Sequence, residues 1–90
     1  MNYYKEQRQY TLMKKALLKC LVSLNPRSKR HAITIEHIGG NESGLIDQEH
    51  LNEESIEVYV LEEREERALV LLPKELNGKE YIWVNQENLL

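Results

Sequence analysis

Three histidines and one cysteine are the side chains of this sequence best suited to bind a metal or attack a substrate. His31 and His37 lie six residues apart. On a strand that spacing puts them on one face but about 20 Å from each other, too far to share one ion, and with His50 and a single cysteine elsewhere no metal site is expected. Cys20 falls on an apolar stripe, where a thiol is inert. The sequence has no glycine-rich phosphate loop, no G-x-S-x-G turn and no Cys/His pairing of known spacing. General acid catalysis needs a carboxyl in an apolar pocket, and the glutamates here sit in charged runs. The expectation is a protein that is not an enzyme and that holds no metal or cofactor.

Charge is the stronger signal. Residues 1–31 carry eight basic side chains against Glu6 alone, a net +7; residues 32–90 carry four basic and fourteen acidic ones, a net −10. Lys15, Lys19, Arg27, Lys29 and Arg30, with Lys5 and Arg8 before them, form a cluster of the kind that neutralises phosphates. Ten carboxylates crowd between Glu42 and Glu66. Among these, Glu62, Glu63, Glu65 and Glu66 would steer a basic protein surface into contact, with Leu45 as an apolar anchor. Tyr81 and Trp83 share a strand face that Tyr59 can join. Their sequence neighbours are mostly glutamates, so the group reads as packing rather than as a base-stacking platform.

The elements that must hold these residues divide the chain in three: a helix over 1–24, a basic linker over 25–30 and an acidic β part over 31–90, all in one domain. Tyr3 to Leu24 has no glycine or proline and is rich in good helix formers. Asn2 can cap it, or Thr11 can cap a shorter version, and Asn25-Pro26 ends it. Tyr3, Tyr10, Leu17 and Leu24 recur every seven residues, with Met13 and Cys20 between them. Lys5, Arg8, Lys15 and Lys19 gather on the opposite face. Leu18 and Val22 fall outside the main stripe, and so are expected to dock a partner or a second copy of the helix.

Beyond the linker, His31 to Ile38 reads as a strand that Gly39-Gly40 ends. Residues 39–54 read as a long acidic loop, anchored by Leu45, Ile46 and Leu51. Ser55 to Leu61, Arg67 to Leu72 and Glu80 to Val84 are strands, joined by a turn at Glu63–Glu66 and a tight hairpin at Asn77-Gly78. A helix over 61–72 is the alternative. Pro73 marks an edge or a bulge, and Gln86 to Leu90 closes with one helical turn.

The fold class expected is α+β: an N-terminal amphipathic helix, then a four- to five-stranded antiparallel sheet or a small barrel. The strand order matches that of an SH3-like barrel, as a fold-level analogy. No apolar run reaches membrane-spanning length, and a single cysteine with no signal-peptide core points to the cytoplasm, a host's if the gene is viral or plasmid-borne. The function expected is a small regulatory or inhibitory protein acting by protein–protein contact. The alternative is sequence-independent nucleic-acid binding through Lys15, Lys19, Arg27, Lys29 and Arg30.

Overall fold

The first described segment makes one pass through two sheets. In the computed structural model, which describes residues 14–90, that pass is β1 (Lys14–Lys19) followed by β2 (Leu21–Ser23). The two join different sheets. β1 pairs antiparallel with Ser55 to Val60, and β2 pairs antiparallel with Ala32 to Thr34. Cys20 sits at the crossing, its amide bonded to the Glu54 carbonyl at 2.9 Å. A strand that switches sheets in this way makes the corner of a two-sheet stack.

The expected helix over 1–24 is therefore corrected wherever it can be described. Its residues 14–23 are extended, and the remainder of the heptad, with Lys5, Arg8, Tyr3, Tyr10 and Met13, lies outside the described residues. Helix propensity is a weak preference, overridden when an extended segment can bury Leu18 against Ile56 and complete a sheet. The fold class changes with it, from α+β to nearly all-β, with two antiparallel sheets in place of one sheet or small barrel.

The remaining strands are β3 (Arg30–His37), β4 (Gly40–Asp47), β5 (Ser55–Arg64), β6 (Arg67–Leu76) and β7 (Lys79–Asn85). One sheet runs β1-β5-β6-β7 and the other β2-β3-β4. The acidic loop expected over 39–54 is mostly strand: Gly39-Gly40 does not end the sheet but turns it, so that His37 faces Gly40 and Arg30 faces Asp47 across the β3–β4 hairpin. Leu61 to Leu72 is a hairpin, not a helix, with Arg64 opposite Arg67 and Glu65 in the left-handed region at φ 58°. Asn77 and Gly78 make the tight turn into β7, both with positive φ. Pro73 lies in a bulge, where β6 loses register between Leu71 and Leu76. After β7 a 3-10 turn, Gln86–Asn88, returns the chain to the outer side of β1, where Leu89 bridges Leu18 and the Leu90 amide reaches the Leu17 carbonyl at 2.9 Å.

The core lies between the sheets. Leu18, Ile56, Val58, Val60, Val70 and Val84 face inward from one, and Ile33, Ile35 and Ile46 from the other. Burying each such side chain is worth about 1.5–3 kcal/mol. No helix among the described residues is long and apolar enough to cross a membrane.

Candidate functional site

A groove of about 760 Å³ runs along β7, walled by two turns. The tip of the β3–β4 hairpin, His37 to Gly39, forms one wall, and the β5–β6 turn, Arg64 to Arg67, forms the other. Tyr81 and Trp83 rise from β7 between them. The Arg64 guanidinium lies 5.6 Å from the centre of the Trp83 ring, and its Nη2 bonds Glu62 Oε2 at 2.6 Å. The indole is thus held between a cation and the sheet. The Ile38 amide donates to the Trp83 carbonyl at 2.9 Å, which ties the hairpin tip to β7.

Beneath the groove a buried carboxylate fixes the same tip. Glu42 faces inward from β4 beside Ile35. Asn77 Nδ2 donates to its Oε2 at 3.1 Å, while His37 Nε2 and Lys79 Nζ lie 3.3 and 3.5 Å from its Oε1. The Gly39 amide donates to His37 Nδ1 at 3.0 Å, so the ring proton resides on Nε2 and is offered to Glu42. These hydrogen bonds, the Asn77 amide first, hold the Glu42 carboxyl below its usual range against the opposing effect of burial. One carboxylate thereby joins the β3–β4 hairpin to the β6–β7 turn.

Strand register assembles a second feature that the sequence order hides. Lys15 stands opposite Tyr59, Tyr59 opposite Leu71 and Leu71 opposite Tyr81, one row across all four strands on the outer face. The next row places Glu62, Leu69 and Trp83 side by side. Tyr59 and Tyr81 remain 38% and 46% exposed. Glutamates surround these aromatics in the sequence; in space Lys15, Arg64 and Arg67 share their face.

The residues singled out from sequence are dispersed. Leu18 is 0% exposed and serves the core; it offers no surface to a partner. Val22 is half-buried on the inner face of β2, opposite Ile33. Leu45 is exposed on β4 and does not line the groove. Glu65 and Glu66 stand on the groove rim, whereas Glu63 is engaged by Lys14 at 3.5 Å and Glu62 by Arg64. Lys15 and Lys19 share the outer face of β1, about 13 Å apart along the strand. Arg27 and Lys29 occupy the β2–β3 connection, and Arg30 opens β3. This is no slack linker: Asn25 Oδ1 accepts from the Arg27 amide at 3.1 Å, Ser28 Oγ from the Arg30 amide at 3.0 Å, and the Lys29 carbonyl from the Gln48 amide at 2.7 Å.

The remaining reactive groups are engaged in structure. His31 is buried, its Nδ1 accepting from the Asn25 amide at 3.0 Å. Burial, with Glu54 nearby, pushes the Cys20 thiol up to about 11, which suppresses the thiolate. Asp47, Glu49 and His50 bring potential ligand atoms within 4.8 Å of one another, a grouping missed when only the histidines were compared. Arg30 holds Asp47 at 3.5 Å and Glu49 holds His50 at 3.6 Å. The chain matches no protein-family model, no curated protein and no solved structure.

Proposed function

We propose that the chain is a small non-enzymatic regulatory or inhibitory protein that acts by holding a protein partner in the groove beside Trp83. The construction of that groove carries the proposal. Aromatic side chains on a strand form its floor, and the β3–β4 hairpin tip and a β5–β6 turn of mixed charge form its walls. Trp, Tyr and Arg are the residue types that concentrate binding energy at protein interfaces, and Trp83, Tyr81 and Arg64 meet here. Glu65 and Glu66 on the rim steer the encounter, and the apolar floor slows dissociation.

Nucleic-acid binding is the second reading, favoured by one observation: Lys15 continues the row of Tyr59, Leu71 and Tyr81, which sets a cation beside stacking surfaces. Capture from nuclease-treated cell lysate separates the two. The immobilised chain is expected to retain a protein partner after nuclease. The double variant Glu65→Lys/Glu66→Lys and the single variant Tyr81→Ser should each weaken that capture at least tenfold. Loss of all partners on nuclease treatment would overturn the proposal in favour of nucleic acid, and equal capture by folded variants would remove the groove from it.

A further inference from the structure

The outer face of the three-stranded sheet, on β2, β3 and β4, plays no part in the groove. Register sets two rows across it: Leu21, Thr34 and Ser43 in one, Ser23, Ala32 and Leu45 in the other. In a chain with 30% charged residues, these six positions hold none. Leu21 is 69% exposed and Leu45 52%. The only hydroxyl pair in the rows satisfies itself, Thr34 Oγ1 lying 2.8 Å from Ser43 Oγ. Charge stands at the ends of the face, with Lys19 beside Leu21, Thr34 and Glu36 at one of them. Glu36 stands at one end opposite Asn41, and Arg30 at the other opposite Asp47.

We propose that this face binds a second copy of the chain about a two-fold axis lying in the interface, perpendicular to the strands. Such an axis reverses β3 against its copy and exchanges the two rows. Leu21 of each copy then lies over Ser23 of the other, Leu45 over Ser43 and Ala32 over Thr34, so every large side chain meets a small one. The same operation carries Arg30 of one copy over Glu36 of the other, twice per dimer. Arg30 already contacts Asp47 at 3.5 Å through Nε, and its side chain is still more than half exposed. The complementarity is isologous, with each residue's counterpart supplied by the same face. Small apolar sheets of this kind pack about 10 Å apart.

The proposal does not depend on the groove, which is lined by none of these six residues. Sedimentation equilibrium of the 90-residue chain tests it. The wild type should sediment as a dimer at tens of micromolar, and Ala32→Glu, at the centre of the face, should raise the dissociation constant at least a hundredfold. Ala32 is exposed, so a folded variant is expected, and circular dichroism checks it. Arg30→Glu and Glu36→Arg should each sediment as monomers and form a heterodimer when mixed. A wild type that stays monomeric at several hundred micromolar, or a dimer indifferent to Ala32→Glu, would overturn the proposal. Failure of the mixed charge variants to pair would overturn the two-fold arrangement on which it rests.

Discussion

Glu42 shows how one side chain can hold two elements in register. Its carboxylate receives Asn77 from the β6–β7 turn and His37 from β3, with Lys79 alongside, so the charge is satisfied although the residue is buried. The folded-state value lies below the ordinary 4.5. A carboxyl depressed in this way stabilises the fold above its unfolded value and loses that contribution as pH falls through the folded one. Glu42→Gln should therefore melt below the wild type at pH 7, and the gap should close as pH drops below 4.5. Parallel melting curves for the two proteins down to pH 3, with a constant gap, would refute this. None of this was legible from sequence, where Glu42 is one of ten carboxylates. Its three partners come from positions as far away as Lys79, and only the fold brings them together.

Among the elements, those with their own local signal were readable. Asn77-Gly78 specified a two-residue hairpin because both residues tolerate the left-handed backbone, and both adopt it. Pro73 marked a bulge because it has no amide to give a ladder. β5 announced itself through alternation, with Ile56, Val58 and Val60 inside and Glu57 and Tyr59 outside. Two elements lacked such a signal. KKALLK in β1 is favourable for a helix, and only pairing with β5 makes it extended. β4 reads GNESGLID, polar and glycine-containing, and its strand state rests on pairing with β3 over its whole length. Gly44 in β4 has a packing reason: a Cβ there would lie 2.8 Å from Cδ2 of Leu76. Leu76 is buried and has little room to yield. Gly44→Ala should cost about 1–3 kcal/mol by overpacking, measured by urea denaturation. An alanine variant as stable as wild type would mean that β4 and β6 separate more readily than their contact implies.

At the scale of the whole molecule, the division of charge along the chain is not kept as a division in space among the described residues. Lys14 meets Glu63 and Arg30 meets Asp47, so basic residues from the first third are interleaved with acidic ones from the rest. What the fold separates instead is two surfaces: an aromatic groove with its adjoining rows on the four-stranded sheet, and an uncharged face on the three-stranded sheet. The aromatic trio Tyr59, Tyr81 and Trp83 was visible in the sequence, but the cation Lys15 in its row was not, because register between distant strands supplies it. The central claim is that the groove is where a protein partner sits. Amide hydrogen exchange, recorded for the chain alone and with the partner retained after nuclease, tests it most directly. Added protection should concentrate at 37–39, 64–67 and 79–83; a bound partner that left all three segments at their free exchange rates would contradict the account.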